Sequence, residues 1–160
     1  MQLLHLKNVF ITTEYMVLNV MSAREYGLLD TLRMELRRVL YVEYDKTIND
    51  ILAYIIMKGP TTLYRVSRDT PYSISSIYKK AKRMVKDYLI KENESVGDRH
   101  TYEVTVKGLL VCLAYNCLDD EIVLNRLRSK WGLRNYDIDK MISLLAVIPH
   151  IVRRDNTKIL

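Results

Sequence analysis

Residues 59–88 read GPTTLYRVSRDTPYSISSIYKKAKRMVKDY, and this stretch decides the fold. Gly59-Pro60 stops the preceding helix, because Pro lacks an N–H and Gly tolerates the turn. A short helix is predicted from about Thr62 to Asp69, with Leu63 and Val66 pointing inward. Thr70-Pro71-Tyr72 breaks it, and Ser73 can cap a new helix by accepting from its orphan N–H groups. That helix places Ile74, Ile77, Tyr78, Ala81, Met84, Val85 and Tyr88 on one face, close to the i, i+3, i+4, i+7 spacing of a buried stripe. Its other face carries Ser75, Ser76, Lys79, Lys80, Lys82, Arg83 and Lys86.

Upstream, Ile48, Ile51, Leu52, Ile55 and Ile56 form a helical stripe that ends at Gly59-Pro60. Downstream the period changes to two. Tyr102, Val104 and Val106 alternate with Thr101, Glu103 and Thr105, as in a half-buried strand. Residues 89–94 are its expected antiparallel partner, and 95–100 the hairpin tip, with Gly97-Asp98 at the turn. Residues 108–118 are apolar almost all round, as in a helix buried within the domain or against another subunit. Asp119 or Asp120 can cap a further helix to about Lys130. Asp137 can cap a last one, with Ile138, Met141, Ile142 and Leu145 inward and Pro149 near its end, followed by a basic tail from Ile151. At the other terminus, Val9–Thr13 is strand-like and Met16–Met21 is a nearly continuous apolar run. Ser22-Ala23-Arg24-Glu25 reads as a capping box opening a helix to about Val39, with Leu28, Leu29, Leu32 and Leu36 at helical spacing. Gly and Pro are scarce, and Gly108 and Gly132 are read as further breaks.

Helix, short helix, turn, helix and hairpin follow one another as in a winged helix-turn-helix domain. Residues 47–107 resemble that family, particularly its small archaeal members, of cellular, plasmid or viral origin. The resemblance rests on Gly59–Ser67, on Ser73–Tyr78 opening the third helix, and on Tyr102–Leu110 leaving the wing. It covers about 60 residues, a compact unit. It implies an α+β, mainly helical chain and double-stranded DNA binding. The expected division is residues 1–45 as an N-terminal extension, 46–107 as the winged helix, and 108–160 as C-terminal helices. Both flanks are candidates for dimerisation, and the C-terminal one for partner docking.

The residue chemistry points the same way. A helix fits the B-DNA major groove, and its N-terminal half normally reaches base edges. Ser75, Ser76, Lys79 and Lys80 are placed for that, with Arg83 further along. Ser73 at the helix N-terminus, and Thr61, Thr62 and Arg65 at the start of the short helix, are candidates for phosphate contact. The wing adds Arg99 and His100, which by resemblance lie along the minor groove or backbone. The charge map supports the placement. Residues 61–107 carry ten Lys and Arg against six Asp and Glu, while the other 113 residues carry fifteen against thirteen. Most of the net +6 is therefore local, as a nucleic-acid footprint requires. Competing readings are a merely solvated Lys-rich face, helix capping by Thr61 or Thr62, and an ordinary polar hairpin tip at Arg99 and His100. Tyr64 and Tyr72 could stack or touch phosphate, whereas Tyr78 lies on the apolar stripe and is expected in the core.

Other classes find little support. The chain has no Gly-rich phosphate loop, no HExxH and no Cys/His cluster with zinc spacing, so an enzyme, a metal and a cofactor are not expected. His5, His100 and His150 are isolated, and Asp119-Asp120-Glu121 has a simpler role at a helix start. Cys112 and Cys117 lie five apart in an apolar run. On a continuous helix they would stand about 140° apart at roughly 100° per residue. They are read as buried thiols in a reducing cytoplasm. The longest uncharged stretches, 141–152, 108–118 and 15–23, are shorter than the about 20 residues of a membrane span. No signal peptide is evident. The expectation is a cytoplasmic, homodimeric transcriptional regulator. It inserts residues 73–88 in the major groove, with 95–100 alongside. The alternatives are a winged-helix protein-docking module in a transcription or replication assembly and, more weakly, an RNA-binding module.

Overall fold

The structure, a computed structural model, describes residues 27–94, 97 and 99–155. The elements run α1 (Leu28–Leu40), α2 (Lys46–Lys58), α3 (Leu63–Asp69), α4 (Ile74–Lys86), β1 (Ile90–Asn93), β2 (Thr101–Val104), α5 (Val106–Ala114), α6 (Asp120–Lys130) and α7 (Ile138–Asp155). This is the mainly helical α+β winged helix-turn-helix expected, with additional helices before and after it. The strand-like and apolar segments between residues 9 and 21, and the capping box at Ser22–Glu25, lie outside the described residues.

Caps fix the helix boundaries. Asp45 accepts from the Ile48 N–H at 3.0 Å, Thr62 from Arg65 at 3.3 Å, and Ser73 from Ser76 at 3.2 Å. Thr105 accepts from Gly108 at 3.0 Å, Asp119 from Glu121 at 2.9 Å, and Asp137 from Lys140 at 2.8 Å. Three helices end in one way. In each, an N–H reaches back five residues across a left-handed residue: Leu89 to Met84 across Tyr88, Cys117 to Cys112 across Asn116, and Leu133 to Arg128 across Gly132. This is the Schellman closure.

The second closure corrects the reading of the cysteines. They do not lie on one continuous helix. Asn116 (φ 53) turns the chain back, so Cys117 returns onto the last turn of α5, and Cys112 and Cys117 form a disulfide with Cα atoms 4.8 Å apart. The bridge occupies the place where a Schellman motif usually has an apolar contact between the same two positions.

The core runs unbroken through all the helices. Ile48, Ile51, Leu52, Ile55 and Ile56 of α2 are buried as expected, as are Ile77, Ala81 and Met84 of α4. On α4 the buried stripe is narrower than expected: Ile74 and Tyr78 are exposed, Tyr78 by 56%, and Tyr88 lies exposed past the helix end. Every residue from Gly108 to Ala114 is buried within the chain itself, so α5 has no apolar face left for a second copy. Gly108 is not a break. It sits in the first turn of α5, where a Cβ would meet the Leu89 carbonyl oxygen at 2.1 Å. Close packing of α5 on the start of β1 demands glycine there. The last helix is longer than expected: Pro149 lies inside α7, which reaches Asp155 and absorbs the start of the supposed tail.

Two arginines of α1 hold the carboxyl end of α5. The Arg33 Nε donates to the Leu113 carbonyl at 3.1 Å, and its guanidinium pairs with Asp30 at 2.9 Å and Asp120 at 2.5 Å. The Arg37 Nε donates to the Ala114 carbonyl at 2.8 Å, and its guanidinium lies over the Tyr115 ring. Cations are favourable there because the last carbonyls of a helix are unpaired and carry the negative end of its dipole.

Candidate nucleic-acid interface

The interface is built on α4, and its mounting comes first. Tyr72, in the turn before α4, donates its hydroxyl to Asp50 of α2, while Ser67 of α3 donates to the Tyr72 carbonyl at 3.1 Å. Thr70 donates to the Val66 carbonyl at 2.6 Å. Together these fix the angle between α3 and α4. A second fixing point is Lys80, whose ammonium pairs with Asp45, the N-cap of α2, at 2.5 Å. Burial pushes the Asp45 carboxyl up, but Lys80 and the Ile48 N–H outweigh it and hold the group below the ordinary aspartate value.

Beyond this the helix presents a stripe of Ser75, Lys79, Lys82 and Lys86, all exposed, at i, i+4, i+7 and i+11. Among the described residues the three lysines have no ion-pair partner. Arg83 is exposed beside the stripe and lies 3.6 Å from Asp87. Opposite sits the core stripe of Ile77, Ala81 and Met84, so burial of one face orients the other outward.

The wing is β1 paired antiparallel with β2, with Ile90 opposite Val104, Lys91 opposite Glu103, Glu92 opposite Tyr102 and Asn93 opposite Thr101. Thr61 adds an isolated antiparallel bridge to β2, exchanging both backbone hydrogen bonds with Tyr102 at 2.8 and 3.1 Å. Lys91 and Glu103 pair across the strands at 2.7 Å. Gly97 has φ 85, as a tight tip needs; Asp98, expected beside it, lies outside the described residues.

The candidate residues therefore divide. Ser75, Lys79 and Arg83 lie on the exposed face, and Ser76 at its half-buried edge. Ser73 caps α4 and Thr62 caps α3, so both hydroxyls are engaged by backbone N–H groups. Thr61 is only 4% exposed and serves the sheet rather than the surface. Lys80 is turned toward α2. Arg65 and Arg99 are exposed, and His100 stands 2.5 Å from Glu92. Thr62, Arg65, Arg99 and His100 share one cleft of about 450 Å³ between α3, α4 and the wing. Sequence reasoning left Lys82 and Lys86 out of the site, although their spacing from Lys79 was there to be used. It also placed Tyr78 in the core, whereas Tyr78 opens onto the cleft.

Behind the cleft, Asp69 grips Arg68 through Nε at 2.9 Å and Nη2 at 3.3 Å, and accepts from the Tyr54 hydroxyl at 2.5 Å. Arg68 and then Tyr54 lower the Asp69 carboxyl to about 2. The chain of contacts orients the Arg68 guanidinium. Among the described residues no cluster of His, Cys, Asp and Glu could hold a metal ion, and no helix is long and apolar enough to cross a membrane.

No family model matches the chain, and no curated protein does. Three solved structures are similar in fold. A mutant of ZitR from Lactococcus lactis is 17% identical, with a TM-score of 0.42 over 72% of this chain and 77% of that one. Reduced AbfR bound to DNA is 14% identical, with a TM-score of 0.40 over 86% and 100%. The ligand-free organohalide-sensing transcriptional regulator RdhR is 18% identical, with a TM-score of 0.40 over 98% and 83%.

Proposed function

We propose that the chain binds double-stranded DNA sequence-specifically and acts as a dimeric, cytoplasmic transcriptional regulator. Helix α4 enters the major groove, and the tip of the wing, residues 95–100, lies along the flanking backbone. The observation that carries this is the stripe of Lys79, Lys82 and Lys86, without an ion-pair partner among the described residues, presented by a helix whose other face is locked into the core. Ser75 and Lys79, in its first turns, reach base edges; Lys82, Arg83 and Lys86 meet phosphates. Arg99 adds a backbone contact from the wing.

With α5 enclosed, the pairing of two copies falls to the outer faces of α1 and α7, where Met34, Leu144 and Val147 remain exposed. A two-fold axis would set the recognition helices about 34–36 Å apart on a palindromic site.

Selection from a random duplex library tests specificity and symmetry together, and enrichment of a palindrome is the expected result. Salt titration tests the contacts: about six phosphates give a log–log slope near −5. Lys82→Ala/Lys86→Ala should cut the slope by about a third, since each phosphate contact contributes roughly 0.9. An unchanged slope and affinity would overturn the assignment of α4 as the recognition helix.

A further inference from the structure

The cleft between α3, α4 and the wing has a composition that duplex binding does not use. Its walls carry Tyr64, Tyr78 and Tyr102, and its rim Arg65, Arg68 and Arg99. Among the described residues no carboxylate lines it; Glu92, opposite Tyr102 in the ladder and paired with His100, stands at its edge. Tyr64 is 67% exposed and Tyr78 56%, so two large rings stand in water at considerable hydrophobic cost. Phosphates of a paired duplex would occupy the arginines and leave the rings idle, because stacked bases keep their faces covered.

We propose that this cleft is a binding site for one unpaired nucleotide, with the base against the tyrosines and the phosphate among the arginines. Its volume of about 450 Å³ lies within the range of small-molecule sites. Aromatic faces beside cationic side chains are the combination by which proteins hold unpaired bases and their backbone. Three features preorganise it. Tyr102 is held by the Thr61 bridge and the β1–β2 ladder. Arg68 is steadied by Asp69. Tyr78 rises from α4 between the buried Ile77 and Ala81. The chemistry fits a free nucleoside monophosphate and an unstacked nucleotide within a DNA strand alike.

The test uses the full chain and two probes, dTMP and a dT8 oligonucleotide, with a paired duplex alongside, followed by calorimetry. Tyr64→Ala/Tyr78→Ala should weaken dT8 binding at least fivefold, as loss of base–aromatic stacking does, and change duplex affinity less than twofold. Tyr78→Phe, which keeps the ring, should restore most of it. Comparable occupation by dTMP assigns the site to a free nucleotide; binding of dT8 without dTMP assigns it to a strand. If neither probe binds, or the tyrosine variants bind dT8 as wild type does, the cleft is only a charged recess and the proposal falls. Duplex affinity and its loss on Lys82→Ala/Lys86→Ala report separately on the recognition helix, so failure of one reading is not mistaken for failure of the other.

Discussion

Replacing Gly108 by Ala is expected to destabilise the protein, against the usual sign of that exchange in a helix. In an exposed helix Ala is better than Gly by roughly 1 kcal/mol. At position 108 the new Cβ would lie 2.1 Å from the Leu89 oxygen, 2.8 Å from Val104 Cγ2 and 3.0 Å from the Leu89 carbonyl carbon. The first contact is with backbone, which cannot rotate away. Leu89 is wholly buried, and its carbonyl accepts from both the N–H and the hydroxyl of Thr105 at 3.0 Å. Relief therefore requires α5 to part from the start of β1. Overpacking costs about 1–3 kcal/mol, and two loosened hydrogen bonds about 1 kcal/mol each. After the helix-propensity gain the net loss is about 2–4 kcal/mol. For a chain of 160 residues this lowers the melting temperature by about 5–15 °C. Thermal unfolding followed by far-ultraviolet circular dichroism measures it. A melting temperature equal to or above that of wild type would refute the close approach of α5 and β1.

Lys80→Ala should lower stability by about 1–2 kcal/mol, whereas Lys82→Ala should stay within about 0.5 kcal/mol of wild type, because only Lys80 leaves a half-buried carboxylate without its partner. The sign with pH follows from the lowered Asp45 carboxyl: the stabilisation is full above the ordinary aspartate range and is lost as pH falls through it. Urea titrations of wild type and Lys80→Ala should therefore converge in acid, and a gap that widened there would count against the pair. Opening the Cys112–Cys117 bridge, which closes a loop of about six residues, should cost about 2 kcal/mol, on a chain-entropy account. Reductant should then lower the melting temperature of wild type by about 4–8 °C and leave Cys117→Ala unmoved, and a wild type indifferent to reductant would contradict the bridge.

What the sequence disclosed was whatever depends on short-range pattern. The α2 stripe, the caps at Thr62 and Ser73 and the two-residue period of Tyr102 and Val104 are local signals, and they marked out the winged helix. What it hid depends on where the chain turns and what then arrives from elsewhere. Cys112 and Cys117 seemed to point apart because the helix was carried past Asn116, a residue that tolerates the left-handed turn. Gly108 looked like punctuation because its reason, the Leu89 carbonyl, comes from another element. Lys80 read as a DNA contact because Asp45, 35 residues upstream, cannot be paired with it by spacing. Tyr78 sits on the flank of the apolar stripe, and on a 13-residue helix the width of the buried face is set by its neighbours rather than by periodicity.

The Lys80–Asp45 pair also bears on how α4, the proposed recognition helix, could acquire new targets. It divides α4 lengthwise into a side that serves the scaffold and a side that does not. Ile77, Lys80, Ala81 and Met84 belong to the scaffold, and a change at any of them is felt in folding. Among the described residues, Lys79, Lys82 and Lys86 have no ion-pair partner, and Ser75 makes only an exposed contact with the Ser73 hydroxyl at 3.2 Å. Substitutions there carry little structural penalty and add nearly independently of the core. A library randomised at those four sites, with Lys80 left alone, would explore operator preference on a constant framework. The same tether that commits one lysine to the scaffold thereby leaves the rest of the face free to diverge.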